Sequence, residues 1–219
     1  MAAAATPDSS NDHPLFARGW AAVMGRLEPR ALRRERERLL AGLHGTVVEV
    51  GAGTGASFDL YPTEVERVVA IEPEPYLRGV AEEAAARATV PIEVHGGVAE
   101  GLPLEDGAAD AVVYSLVLCS VPDQAAALAE AWRVLRPGGE LRYYEHVAEP
   151  RGTLGRRWQE LVDRTGLWAR MGGGCRVARE TGEAIIAAGF VVERERVQQF
   201  GPPGTPVRRH LAGVARRPG

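Results

Sequence analysis

The run Val47-Val48-Glu49-Val50 passes directly into Gly51-Ala52-Gly53-Thr54-Gly55. An apolar, strand-like stretch that delivers the chain into three alternating glycines narrows the choice of fold sharply. The strand must be buried, and the turn must let backbone come close to a bound molecule, because Gly51 and Gly53 carry no Cβ. Gly55 can open a helix or take a positive φ without penalty. A second apolar run, Val68-Val69-Ala70-Ile71, ends in Glu72-Pro73. An acid at that distance from a glycine turn lies where a ribose diol is held, and as a strand-end residue Glu72 reads as a surface acid without core contacts. Turn and acid together point to a nucleoside cofactor.

Two cofactor classes use this geometry, because a dinucleotide fingerprint tolerates Ala at its last position, as in Gly55-Ala56. Glu49 tips the balance. A carboxylate just before the turn sits badly beside a pyrophosphate and well beside the ammonium of a methionine moiety, so S-adenosylmethionine fits better than NAD.

Further along, Ala109-Asp110-Ala111-Val112-Val113-Tyr114-Ser115 reads as a buried strand that residues 116–121 extend, and Pro122 opens an alanine-rich helix. Arg136-Pro137-Gly138-Gly139 stops that helix, and residues 140–146 form the next strand. This order of elements resembles the class I S-adenosylmethionine-dependent methyltransferases. A closer resemblance lies in Leu118-Cys119-Ser120-Val121, Glu145-His146-Val147-Ala148-Glu149-Pro150, Gly173-Gly174-Cys175 and Arg179-Glu180-Thr181. Together with Phe58, Tyr61-Pro62 and Pro202-Pro203, these are similar to the methyltransferase-like proteins that methylate alkyl thiols, over most of residues 29–216. The chain departs from the membrane-bound relatives at its front, where it begins Met-Ala-Ala-Ala-Ala-Thr-Pro in place of a hydrophobic anchor.

The resemblance implies an α/β, Rossmann-like class I methyltransferase fold: a mostly parallel seven-stranded sheet, helices on both faces and an antiparallel last strand. It implies a cofactor held by Glu49, Gly51, Ala52, Gly53 and Gly55, by Glu72 and Pro73, and beyond the fourth strand by Ser115, Leu116 and Cys119. Adenine then falls at Val98, Ala99 and Glu100, with Val98 standing where many relatives carry an acid.

In 219 residues, one sizeable core is the economical reading. A formal charge of −3, from 26 basic and 29 acidic residues, gives no field for gathering nucleic acid. The arginines between residues 30 and 38 alternate with Glu35 and Glu37 and read as a solvated helix face. Two cysteines, Cys119 and Cys175, are too few for a disulfide framework, match a cytoplasmic location and argue against a cysteine metal site. No window approaches the ~20 apolar residues of a membrane span, and the start of the chain lacks the features of a signal peptide.

Residues 1–12 are small and polar and are expected to form a disordered tail. Residues 13–45 are expected to form two helices. The first carries Leu15, Phe16, Trp20, Val23, Met24 and Leu27 on one face and is a possible lid; the second covers residues 29–43. Residues 46–219 then form the cofactor-binding domain, with a third strand at 91–94, an inserted helix over 154–168 and a last strand over 207–214.

Methyl transfer from a sulfonium needs alignment and the exclusion of water more than it needs acid-base chemistry. A thiol, with a pKa of ~8.5, is deprotonated more easily than a phenol at ~10. The expected acceptor is therefore a small, lipophilic molecule, with a thiol fitting best and an O- or N-acceptor as the alternative; a third reading is a cofactor-binding protein that does not methylate. His146, flanked by Glu145 at a strand end, is the candidate base. Trp20, Tyr144, Trp168 and Cys175 are candidates for the acceptor pocket, with Cys119 as wall.

Overall fold

The apolar runs become the middle of one sheet. The computed structural model describes residues 30–219; the expectations for the tail, for the helix over 15–27 and for Trp20 lie outside the described residues. Helix α1 (Arg30–Leu40) leads into β1 (Gly45–Val50), followed by β2 (Val65–Ile71), β3 (Ile92–His95), β4 (Ala109–Ser115), β5 (Leu135–His146), β6 (Val191–Gln199) and β7 (Arg209–Arg216). Across the sheet they run β3-β2-β1-β4-β5-β7-β6. The first five pair in parallel, and β7 is antiparallel to both β5 and β6. This is the Rossmann-like class I methyltransferase fold. Its strand order reverses between β1 and β4, and in such sheets the ligand crevice opens outside the carboxyl ends at that switch point.

Alternation along β1 sends Val48 and Val50 to one face, and Val47 to the other with Glu49. Both faces are covered, as a parallel sheet requires. Helix α3 (Gln124–Val134) packs Ala127, Leu128, Ala131 and Val134 against the first face, and α1 packs Leu32, Leu39 and Leu40 against the second. Helix α2 (Pro75–Ala85) connects β2 to β3. After β5 come α4 (Leu154–Thr165), α5 (Leu167–Met171) and α6 (Thr181–Ala187). Among the described residues no helix is long and apolar enough to cross a membrane.

Four local expectations need correction. Strand β4 does not continue through residues 116–121: it ends at Ser115, and Leu116 turns away with φ of 62°. Helix α3 starts after Asp123, whose side chain accepts the Ala126 N–H at 3.0 Å, and not at Pro122. The helix over 154–168 is broken at Gly166, whose φ of 64° closes α4 before α5 begins. The charged face of α1 is only partly solvated, because Glu35 and Arg36 are buried. Glu35 pairs with Arg38 at 2.6 Å and with Arg196 of β6.

Candidate active site

The glycine turn folds over the end of β2, with the N–H groups of Gly51 and Ala52 both bonded to the Ile71 carbonyl at 2.8 and 3.1 Å. Gly51, Gly53 and Gly55 all have positive φ, at 69°, 58° and 75°. Their missing side chains serve different neighbours. A Cβ on Gly51 would stand 2.5 Å from Val117 Cγ2, and one on Gly55 would stand 2.7 Å from the Phe58 ring. A Cβ on Gly53 would meet nothing within 4 Å among the described residues. Gly51 and Gly55 make room for neighbouring side chains, whereas Gly53 borders open space among the described residues.

Glu72 reaches back to this turn. Its Oε2 accepts the Gly53 N–H at 2.8 Å and its Oε1 accepts the Glu74 N–H at 2.9 Å. The expected surface acid is in fact buried. Loss of water raises its pKa, and the two backbone N–H bonds act in the opposite direction. Pro73 follows and is partly exposed. Glu49 is buried too and accepts a hydrogen bond from Tyr61 Oη at 2.7 Å. Burial pushes its carboxyl up, against hydrogen bonds from Tyr61 and Ser57 and the charge of Arg36. Any cation it serves shares the carboxylate with these groups.

On the far side of the crevice, Val98 bridges to Gly101, Ala99 enters the core, and Glu100 accepts the Asp123 N–H at 3.1 Å. Ser115 closes β4 with a buried Oγ that has no hydrogen-bond partner among the described residues. Leu116 then takes its left-handed conformation, which costs a non-glycine residue about 1–2 kcal/mol. Neighbours over-determine that strained turn. The Leu116 N–H bonds to the Tyr144 carbonyl at 2.7 Å, and the Glu145 carboxylate accepts the N–H groups of Val117, Leu118 and Cys119 at 2.9, 3.0 and 3.1 Å. Arg179 donates to the carbonyls of Leu118 and Val121 at 2.9 and 2.6 Å. Glu145, which the sequence marked only as the neighbour of His146, therefore holds the loop after β4. Arg179 was legible only as part of a motif.

His146, at the carboxyl end of β5, meets two sulfurs. Its Nδ1 lies 3.5 Å from Cys175 Sγ and 3.8 Å from Cys119 Sγ. Gly174 permits this approach, since a Cβ there would stand 2.7 Å from the Ser120 carbonyl oxygen. The Arg176 N–H bonds the Cys119 carbonyl at 2.8 Å and ties the two cysteine loops together. A hydrogen bond from Cys119, aided by His146 and Trp168, lowers the Cys175 thiol to about 5; Cys119 moves up in return. Trp168, Val162 and Val207 cover the sulfurs as partly buried apolar wall.

Cys119 is thus wall and also part of a polar cluster. Tyr144 needs correction as a pocket residue. Alternation on β5 puts it in the core beneath α1, fully buried and stacked on His210 at 5.1 Å between centroids and 13° between planes. His210 itself, which the sequence did not single out, sets its ring edge to His146 at 4.6 Å.

Residues 48–143 match the family described as a methyltransferase domain. The chain is 38% identical over 183 residues to the human thiol S-methyltransferase TMT1B, covering 80% of this chain and 73% of that protein. It is 35% identical over 178 residues to the human thiol S-methyltransferase TMT1A, covering 78% and 70%. The chain belongs to the thiol S-methyltransferase family of class I S-adenosylmethionine-dependent methyltransferases. Solved structures agree on the fold. A geranyl diphosphate methyltransferase in complex with S-adenosylmethionine superposes with a TM-score of 0.69 at 15% identity, covering 98% of this chain and 96% of that one. The [4+2]-cyclase SpnF superposes with 0.67 at 19% identity, covering 85% and 80%.

This methyltransferase uses S-adenosylmethionine, and its crevice fits that cofactor in three respects. Among the described residues Gly53 faces open space, the Glu72 carboxylate stands beside it with lone pairs to spare, and Ser115 Oγ is buried without a partner.

Proposed function

We propose that this methyltransferase methylates the sulfur of a small, lipophilic thiol. The observation that carries the reading is the placement of His146 with Cys119 and Cys175 at the carboxyl ends of β4 and β5. The loop that bears Cys119 also packs Val117 against Gly51 of the cofactor turn. Two relatives that cover most of the chain are thiol S-methyltransferases.

In this reading, S-adenosylmethionine supplies a methyl group on a sulfonium leaving group. Glu72 accepts hydrogen bonds from the ribose hydroxyls, the turn at residues 51–55 presents backbone to the cofactor, and residues 98–100 border the adenine. Ser115 and Leu116 line the passage between cofactor and acceptor, where Cys175 and Trp168 form the acceptor wall. His146 would take the proton from the acceptor's S–H, and the sulfur would then take the methyl carbon as the sulfonium S–CH3 bond breaks, giving a thioether and S-adenosylhomocysteine. The apolar cover from Trp168, Val162 and Val207 keeps water from competing.

The test is a product screen with labelled cofactor across alkyl thiols, phenols and amines. Labelled thioethers are expected. Turnover of phenols or amines alone would move the assignment to O- or N-methylation, and tight cofactor binding without S-adenosylhomocysteine from any acceptor would overturn it altogether.

A further inference from the structure

Cys119 Sγ, Cys175 Sγ and His146 Nδ1 lie within 4.8 Å of one another. Zinc bonds of ~2.3 Å to sulfur and ~2.0–2.1 Å to nitrogen, set at tetrahedral angles, separate a sulfur from a nitrogen ligand by roughly 3.5 Å. The two sulfur–nitrogen distances here are 3.5 and 3.8 Å. Both sulfur–nitrogen separations are therefore close to those of a coordination tetrahedron, and the two sulfurs lie within 4.8 Å of each other.

They come from three separate segments, and each segment is fixed. Glu145 holds the Cys119 amide at 3.1 Å, and the Arg176 N–H holds its carbonyl at 2.8 Å. Gly174 seats the Cys175 loop on Ser120, and Asp163 accepts the N–H groups of Val177 and Ala178 at 2.9 and 3.1 Å. His146 is fixed by its place in β5, paired with His210 of β7. Such preorganisation means that little ordering remains to be done when a ligand binds.

The donor set selects the occupant. Two thiolates and an imidazole, with no carboxylate among them, favour zinc and similar thiophilic ions over magnesium or calcium. The two thiolate charges balance a divalent cation, and both cysteines are buried while His146 is only half-buried, which leaves an approach from the imidazole side. Three protein donors of the Cys₂His type are the composition of a zinc site that keeps one position open.

We propose that Cys119, His146 and Cys175 bind a thiophilic divalent cation, zinc in first place, with a fourth position open to the acceptor's sulfur. This reverses the expectation drawn from the cysteine count, and only the fourth position rests on the thiol reading. In the metal-loaded protein the acceptor's S–H bond breaks as its sulfur binds the cation, the proton leaves to solvent, and Nδ1 of His146 serves as ligand. In the metal-free protein the imidazole takes that proton.

The experiment uses the full chain, reduced with a phosphine, stripped by chelator and titrated with cobalt(II) and then zinc. One equivalent of cobalt should bind with a thiolate-to-metal charge-transfer band, and zinc should displace it. Cys119→Ser and Cys175→Ser should each weaken zinc binding by at least about tenfold, with circular dichroism unchanged. Adding an alkyl thiol should shift the cobalt spectrum. No stoichiometric binding, or binding that survives in both serine variants, overturns the site, and a spectrum unmoved by thiols overturns the open position. Failure of the acceptor reading would show separately, as absence of thioether product both with zinc and with chelator.

Discussion

Glu72 follows β2 at the carboxyl end of the sheet and yet is buried, with both carboxylate oxygens accepting backbone N–H bonds. In Glu72→Ala those two donors lose their partner, at about 1–3 kcal/mol each where water does not replace it. Urea titration should therefore show a clear loss of stability. Calorimetry should show a ten- to hundredfold loss of S-adenosylmethionine affinity as the charge-assisted bonds to ribose disappear. Glu72→Gln keeps the shape and one of the two acceptors, so it should lose less stability than Glu72→Ala while still binding weakly. Undiminished affinity in Glu72→Gln and Glu72→Ala alike would remove Glu72 from the ribose. His210 carries a second prediction at this scale. Burial, aided by the charge of His146, holds its imidazole down to about 4, below the ~6.5 of an unfolded histidine. Between those values the unfolded chain binds the extra proton, so His210's contribution to stability is lost as pH falls from about 6.5 to about 4 and changes no further below that. Subtracting the urea-derived stability of metal-free His210→Phe from that of the metal-free parent, at pH 7, 5.5 and 4.5, should give a difference that shrinks with acidification. A difference that stays flat across that range rejects the buried, neutral histidine.

The loop after β4 shows how an element is decided by partners far away in sequence. Leu116-Val117-Leu118-Cys119-Ser120-Val121 has the apolar composition of a strand, and propensity alone extends β4 through it. Glu145 takes three of its amides from the neighbouring strand, and Arg179, about sixty residues on, takes two of its carbonyls. With its backbone groups committed in this way, the segment turns back under the crevice and brings Cys119 to His146. Glu145→Ala leaves three donors without an acceptor and should cost on the order of 3 kcal/mol or more. Hydrogen exchange should accelerate at the amides of residues 117–119 before it does in β1, and unchanged protection there would show that the loop holds itself. The same comparison marks what the sequence could reveal. The strand, the glycine turn and the following acid are contiguous signals, so β1, Gly53 and Glu72 were legible. Cys119, His146 and Cys175 were each legible as site residues, but their mutual contact was not, because they are 27 and 29 residues apart and meet through Glu145, Gly174 and Asp163. Tyr144 was misplaced because strand alternation fixes a face but does not tell which face is covered by a helix.

At the scale of the whole molecule, the sheet places the cofactor turn, the Glu72 carboxylate and the sulfur–imidazole cluster along one edge. A likeness of fold to a [4+2]-cyclase is a reminder that such a scaffold does not by itself choose a reaction. Ligand-linked stability tests whether this edge operates as one site. A ligand that binds only the folded state at a hundred times its Kd stabilises it by about 2.7 kcal/mol. For a chain of this size, about 2–4 °C accompanies each kcal/mol, so saturating S-adenosylhomocysteine should raise Tm by about 5–10 °C. NAD should not raise it. Gly53→Ala supplies the control, because its new Cβ meets no atom of the described residues within 4 Å and the variant should still fold. Its φ of 58° adds about 1–2 kcal/mol of strain and lowers the unliganded Tm by a few degrees. The same methyl group occupies the space left for the cofactor, so the shift with S-adenosylhomocysteine should vanish. A variant that keeps the full shift would show that the space beside Gly53 is not where the cofactor lies, and the crevice would have to be sought elsewhere along the carboxyl edge.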